Sequence, residues 1–368
     1  MRNSGGCIGV LFFCLLASVS PVKSGGPLAP ALYVFGDSLV DCGNNNYLST
    51  IARANNPPYG VDFPDGSTGR FTNGKTVPDF IAASLGLPLV PPYLGLSQVK
   101  RNKTTTGMNY GSGSAGILPE TGTIFGSNLN LETQINMFEE TVNRNLPYKF
   151  QSTKELSQYL SKSIFLVDIG SSDFIDPYLP GHSTNLSRPT PQNNPQDFAK
   201  FLIGELAKHL QRLYQLGARK FVVFEVGPTG CLPAITSSNG LIGGCMLQIN
   251  LPVTRYNQKL PLLLNSLKSS LKGSIFSLAK IYSLWMQGAD DKAGNAGLIT
   301  DTMNACCLGP NNGTLPCTAS ESSCKNANEH VFFDGYHPTE VVNSKVAASV
   351  FSDSLVCSPM SVEKLAKA

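Results

Sequence analysis

Continuous apolar runs, rather than alternating ones, mark the strands of this chain. Ala31–Gly36, Ile164–Ile169, Phe221–Val226 and Ile275–Ala279 are mostly apolar throughout and are bounded by polar or glycine-containing segments. Such runs suit strands covered on both faces, as in a parallel sheet. A weaker strand runs through Gly107–Tyr110. Helical stretches lie between them: Val77–Leu85, Leu131–Asn145, Gln196–Leu216 and Met246–Leu271. Gly217 stands where a helix C-cap falls, just before the Phe221 strand. Pro338 opens a last helix, because proline suits a first helical turn. Strands alternating with helices predict an α/β fold, a parallel sheet with helices on both faces. Sites in such sheets form at the carboxyl ends of the strands. No internal repeat or long linker divides the chain, and the Pro/Asn-rich stretch Pro177–Pro195 reads as an exposed insertion. Residues 25–368 are therefore expected to form a single domain.

The N-terminus changes the picture of where the chain works. Arg2 precedes an apolar run from Cys7 to about Val19, shorter than the ~20 residues a bilayer span needs. Val22-Lys23-Ser24 then sets small residues before a cut at Gly25. Residues 1–24 read as a signal peptide and the mature chain as secreted; an uncleaved anchor is the alternative. No other segment is apolar enough to cross a membrane. Charged residues make up 14%, well below the roughly 25% usual in globular proteins, and hydrophobic residues make up 42%, so the composition is not a disordered one. Loss of Arg2 and Lys23 with the leader lowers the net charge from +3 to +1. Nothing in that balance asks for a nucleic acid or an anionic membrane as partner.

Secretion gives the cysteines a meaning. Ten less Cys7 and Cys14 leaves eight, an even number that favours disulfides. Cys231 and Cys245 flank one loop, and Cys306, Cys307, Cys317 and Cys324 crowd another. Cys42 and Cys357 remain as a pair by elimination. Eight cysteines allow about a hundred connectivities, so the spacing assigns none. Neither a Cys-x-x-Cys nor a nearby pair of histidines supports zinc. Asn102, Asn185 and Asn312 each begin an Asn-x-Ser/Thr sequon and are expected to carry glycans on surface loops.

Two short stretches carry chemistry. Phe35-Gly36-Asp37-Ser38-Leu39 puts a serine just past a buried strand, where a rigid element holds its hydroxyl at the sheet edge. Gly-Asp-Ser is also ordinary turn chemistry. Near the C-terminus, Asp334-Gly335-Tyr336-His337-Pro338 sets a carboxylate three residues before a histidine. From one loop it can orient the imidazole and stabilise the imidazolium. Of the other histidines, His182 lies in the polar insertion, His209 within a helical stretch, and His330 has the reversed spacing to Asp334. No Gly-x-Ser-x-Gly occurs, which argues against an α/β-hydrolase nucleophile elbow. Asp168 and Glu225, set in apolar runs, read as hydrogen-bonded structural carboxylates. Asp37 reads as a turn organiser, Asn44–Asn46 as a hydrogen-bonded loop framing the pocket, and Arg70 as the partner of a loop carboxylate, with substrate contact as the alternative.

These stretches fall among others that are jointly specific. Phe35-Gly36-Asp37-Ser38 is followed by Asp41-Cys42-Gly43-Asn44-Asn45-Asn46-Tyr47, Pro57-Pro58-Tyr59-Gly60 and Thr68-Gly69-Arg70-Phe71-Thr72-Asn73-Gly74-Lys75. Asn109-Tyr110-Gly111-Ser112-Gly113-Ser114-Ala115-Gly116, Gly227-Pro228-Thr229-Gly230-Cys231 and Asp334-x-x-His337-Pro338 come later. In content and order the chain resembles the plant GDSL esterase/lipase family, within the wider SGNH hydrolases. The resemblance implies a flavodoxin-like three-layer fold with a five-stranded parallel sheet, and an extracellular enzyme of the apoplast or cell wall. It implies Ser38 as nucleophile, His337 as base and Asp334 as orienting acid.

It also implies an oxyanion hole of three donors. These are the Ser38 N–H, a backbone N–H at Gly113 (or its neighbour Ser114), and an asparagine side chain in a Gly-x-Asn-Asp block. Here the chain departs from the pattern. It reads Gly170-Ser171-Ser172-Asp173, so Ser172 stands where the asparagine is expected. Loss of one oxyanion donor costs about 10²–10³ in turnover. A shorter hydroxyl is expected to leave a working but slower enzyme. The expected reaction is hydrolysis of a small-molecule or lipid carboxylic ester by a monomer, with neither metal nor organic cofactor. The rival readings are an acyltransferase on the same site and a binding or defence protein that has lost activity.

Overall fold

The computed structural model describes residues 26–179, 189–241, 244–290 and 299–368. The leader assigned to residues 1–24, His182 and the sequon residue Asn185 lie outside them. The four apolar runs become β1 (Leu32–Gly36), β2 (Ile164–Asp168), β3 (Lys220–Phe224) and β4 (Ile275–Ala279), paired in parallel in chain order. β5 (Asp301–Ala305) and β6 (His330–Phe332) form a separate parallel pair. β7 (Cys357–Ser358) adds to β4 antiparallel, so the main sheet runs β1-β2-β3-β4-β7. The sheet is thus five-stranded but not all-parallel, a correction to the expectation.

The weaker strand expected at Gly107–Tyr110 lies along the free edge of β1. The Val34 N–H donates to the Met108 carbonyl (3.1 Å), and the Tyr110 N–H to the Val34 carbonyl (2.8 Å). It joins only through isolated bridges at Asn109, to Val34 and to Pro92. Its outer neighbour, Pro91-Pro92, has no N–H with which to extend a ladder. Its approach to β1 is so close that a Cβ on Gly107 would fall 1.8 Å from the Leu32 carbonyl oxygen.

Strand alternation sorts the core into two faces. Tyr33, Phe165, Phe221 and Phe276 are cross-strand partners in one row. Their rings lie 5.3, 5.9 and 4.5 Å apart in succession, a continuous aromatic spine under one face. Leu32, Val34, Leu166 and Val222 point to the other. Helices α1 (Val77–Ser84), α2 (Gln98–Lys103), α3 (Leu131–Glu140), α4 (Thr153–Lys162), α5 (Ser171–Ile175) and α6 (Pro195–Gln215) fill the earlier connections. α7 (Pro233–Ser238), α8 (Leu247–Ser270), α9 (Ile281–Asp290), the single turn α10 (Pro310–Gly313), α11 (Glu340–Ser352) and α12 (Val362–Lys367) follow. α3, α6 and α8 pack on the aromatic face, and α1, α11 and α12 on the opposite one. Both faces are covered, and the chain has an α/β fold.

Side-chain caps explain several helix starts. Asn130, Ser152 and Asn194 accept the N–H of Thr133, Glu155 and Asp197, opening α3, α4 and α6. α6 ends one residue before its C-cap, Leu216, and Gly217 beyond it takes φ +110°, as its position suggested. The α-helix from Leu131 stops at Glu140 and continues as a π turn to Asn145. There the Thr141 hydroxyl bonds the Met137 carbonyl (3.1 Å) and the Tyr110 hydroxyl (2.8 Å), drawing the turn open. The last long helix begins at Glu340, not at Pro338. Pro338 bridges to Phe332, and Thr339, in extended geometry, is the N-cap.

Candidate active site

The carboxyl ends of β1, β2 and β3 turn toward one cleft. Gly36 ends β1 because nothing larger fits: a Cβ would lie 2.0 Å from the Asp168 carbonyl oxygen. The chain then turns on Asp37, whose carbonyl accepts the N–H groups of Val40 and Asp41 (3.2 and 3.1 Å), leaving Ser38 half-buried at the rim. From far along the chain, the loop after β6 folds back to meet it. The Phe333 N–H donates to the His337 carbonyl (2.7 Å), the Thr72 hydroxyl to Pro338 (2.8 Å), and the Ala234 N–H to Gly335 (3.0 Å). The loop is pinned at three points before its side chains do anything.

The three side chains proposed from the sequence form one hydrogen-bonded line. His337 Nε2 lies 2.7 Å from Ser38 Oγ, and His337 Nδ1 lies 2.7 and 2.8 Å from the two oxygens of Asp334. Asp334 is buried and also accepts the backbone N–H groups of Tyr336 (2.9 Å) and His337 (2.8 Å) and the hydroxyl of Tyr59 (2.7 Å). Burial alone would raise its pKa. The adjacent His337 and these donors outweigh burial and hold the carboxyl below its ordinary value. Phe71 flanks the imidazole, its ring centre 4.9 Å away. Tyr59 and Phe71 lie in the Pro57–Gly60 and Thr68–Lys75 blocks, where no local pattern marks them for this place.

The candidate oxyanion donors Gly113, Ser114 and Ser172 differ in their surroundings. The Gly113 N–H is spent on Asp41 Oδ2 (3.1 Å), and Gly113 is packed by Phe71 and Asn45. Ser114 is the second-block residue that lines the cleft, with φ +63°. Ser172, half-buried in the first turn of α5, lines the cleft as well.

Two buried carboxyls stand at the ends of β1 and β2, next to the Ser38 turn. The Asp37 N–H donates to the Asp168 carbonyl (3.2 Å), and both side chains are almost wholly buried. Burial pushes Asp37 up to about 7, although the Leu39 N–H and nearby His337 pull it down. Burial, then the neighbouring Asp37, raises Asp168 well above its ordinary value. Glu225 accepts the Tyr282 N–H (3.1 Å) at the start of α9. Arg70 forms a two-pronged bond to Asp79 (2.7 and 2.9 Å), and the Asn44 amide donates to the carbonyls of Asn109 and Gly111.

The cleft is open and mostly apolar. Leu39, Phe125, Ile175, Leu232, Trp285 and Phe332 line it around Ser38 and His337. Trp285 and Phe332 stack at 5.6 Å to form one wall. Disulfides Cys306–Cys324 and Cys307–Cys317 fasten the loop before β6, and Cys231–Cys245 closes the loop between β3 and α8. Cys42 and Cys357 are not paired, against the expectation by elimination. Both thiols are buried, Cys42 on the Val90 carbonyl (3.3 Å), where a thiol packs as a small apolar group and needs no partner. Asn312 is exposed. Asn102 lies in α2, where its side chain accepts from Asn145 and Gln98. No helix of the described residues is long and apolar enough to cross a membrane.

Comparison with known proteins agrees over nearly the whole chain. The family model GDSL-like Lipase/Acylhydrolase matches residues 32–350. GDSL esterase/lipase 7 of Arabidopsis thaliana is 42% identical over 346 residues, 93% of each chain. A second Arabidopsis thaliana GDSL esterase/lipase is 37% identical over 94% of this chain and 88% of its own length. A third is 36% identical over 98% and 100%.

Proposed function

We propose, from the premise that this chain belongs to the GDSL-like lipase/acylhydrolase family and is a carboxylic ester hydrolase, that it works through Ser38, His337 and Asp334 as a secreted enzyme on apolar esters. The observation that carries this reading is the unbroken hydrogen-bond line from Ser38 Oγ through His337 to buried Asp334. In the proposed cycle Ser38 Oγ attacks the ester carbonyl while His337 Nε2 takes its proton. Asp334, kept ionised, fixes the ring orientation and stabilises the imidazolium. The proton passes to the departing alcohol, leaving an acyl-enzyme on Ser38. Water, deprotonated by the same nitrogen, then releases the acid.

The negative oxygen in both steps needs donors. We assign the N–H of Ser38, the N–H of Ser114 in place of the engaged Gly113, and the hydroxyl of Ser172. The apolar lining supports esters with hydrophobic acyl or alcohol parts. Three disulfides support an oxidising compartment, and with the apolar N-terminal run they favour secretion. Helices on both faces of a mainly parallel sheet support the flavodoxin-like arrangement and a single domain from residue 25 to 368. Exposed Asn312 is the sequon best placed for a glycan among the described residues.

The test is turnover of p-nitrophenyl esters of graded acyl length, beside Ser38→Ala. Hydrolysis by the wild type that disappears in Ser38→Ala is the expected result. Equal turnover in the two proteins refutes the assignment.

A further inference from the structure

Thr229 holds a hydroxyl for which the fold supplies no use. It follows β3 on the same sheet edge as Ser38 and lines the same cleft, while its turn packs against α5, the helix of Ser172. The residue is 2% exposed, and its Oγ1 has no hydrogen-bonding partner among the described residues. Nearby buried hydroxyls differ: those of Thr236 and Thr314 both bond a local carbonyl. A buried hydroxyl left unpaired costs stability, so its retention asks for a partner that arrives from outside.

The surrounding backbone is rigidly held. The Gly230 N–H bonds Asn250 Oδ1 (2.7 Å), the Met246 N–H bonds the Gly230 carbonyl (2.8 Å), and Cys231 is tied to Cys245. Such support suits a group that must be ready before the substrate comes.

The proposed oxyanion hole also lacks an amide, because position 172 offers a short hydroxyl where the family pattern has an asparagine side chain. We propose that Thr229 is a further catalytic residue. Its hydroxyl, with that of Ser172, hydrogen-bonds the negative oxygen formed when Ser38 attacks the ester. Two short hydroxyls from neighbouring strand ends thus do the work of one asparagine. No proton is transferred; the bonds strengthen as charge develops. The proposal rests on the assignment of Ser38 as nucleophile.

Thr229→Val removes the hydroxyl at nearly constant shape, and Thr229→Ser keeps it. With p-nitrophenyl acetate and butyrate, Thr229→Val is expected to lower kcat by about tenfold or more, equally for both esters, with KM little changed. Thr229→Ser should stay close to wild type. The Tm of Thr229→Val should not fall, because an unpaired polar group has been replaced by a methyl. Ser172→Asn in the Thr229→Val background should recover kcat, which a merely structural role would not allow. An unchanged kcat, a loss seen in KM or dependent on acyl length, or a loss that tracks a lower Tm overturns the proposal. Fluorophosphonate labelling separates the two levels. Wild type labelled at Ser38 with Thr229→Val fully active removes only Thr229. Wild type without label removes the nucleophile assignment, and this proposal with it.

Discussion

The Tyr59 hydroxyl donates to Asp334 Oδ2 at 2.7 Å and accepts the Cys317 N–H at 3.0 Å. One phenol therefore couples the carboxylate beside His337 to a loop closed by the Cys307–Cys317 disulfide. Tyr59→Phe removes one donor from the carboxylate, so the Asp334 pKa rises. The acid limb of the kcat/KM profile should move to higher pH. The Cys317 N–H loses its acceptor, which costs about 1–3 kcal/mol. A pH–rate series with a melting curve checks both. An unmoved acid limb would separate Tyr59 from the chemistry.

The buried carboxyls give stability a pH dependence of definite sign. Asp37 titrates at about 7 in the folded chain against an ordinary 3.8. Between these values the folded chain holds a proton that the unfolded chain has released. Stability is therefore fullest below the lower value and falls as pH rises toward the upper one. Asp168 shifts in the same direction, and Asp334 in the opposite one, its contribution being lost only as pH falls below the ordinary range. Asp37→Asn should show a smaller drop in Tm between pH 5 and pH 7, in steps of one unit, than the wild type. A drop of equal size in both proteins would contradict the assignment.

Arg70 and Asp79 form a buried two-pronged ion pair, with side chains 7% and 3% exposed. Arg70→Leu strands a buried carboxylate and is expected to cost about 3–5 kcal/mol in urea unfolding. Arg70→Lys keeps the charge but loses the fork, and should fall between. The pair holds the start of α1, since Asp79 also accepts the N–H and hydroxyl of Thr76.

Gly113 has a steric part in the site. A Cβ there would approach Phe71 Cζ to 2.6 Å and Asn45 Nδ2 to 2.8 Å, and Phe71 packs on His337. Gly113→Ala is expected to cost about 1–3 kcal/mol and to lower kcat by displacing the imidazole. Wild-type kcat in a folded Gly113→Ala protein would show that Phe71 does not hold the ring.

The sequence disclosed what is repetitive and hid what is particular. The runs at Leu32, Ile164, Phe221 and Ile275 were legible because strands buried on both faces must be apolar at every position. The two residues of β7 carry no pattern, and neither did the pairing of Gly107–Tyr110, where flanking prolines limit the ladder. α4 carries no such pattern, because its residues Thr153–Lys162 are mostly polar and bury little beyond Tyr159 and Leu160. The cysteines from 306 to 324 crowd one loop and pair within it, a connectivity their spacing did not assign, while pairing by elimination joined Cys42 to Cys357, which are both free. Residue types at 38, 334 and 337 suggested a shared site, but the loop that brings them within 2.7–2.8 Å is fixed by distant Thr72 and Ala234. That the Gly113 N–H is engaged depends on Asp41, far upstream in the chain, and no local motif records it.

The most direct measurement is the rate and position of labelling by a fluorophosphonate probe, read by mass spectrometry of the modified peptide. Wild type should take one label, on Ser38, and His337→Ala should take it slower by roughly 10³ or more. A label on another serine, or equal rates in the two proteins, would contradict the account.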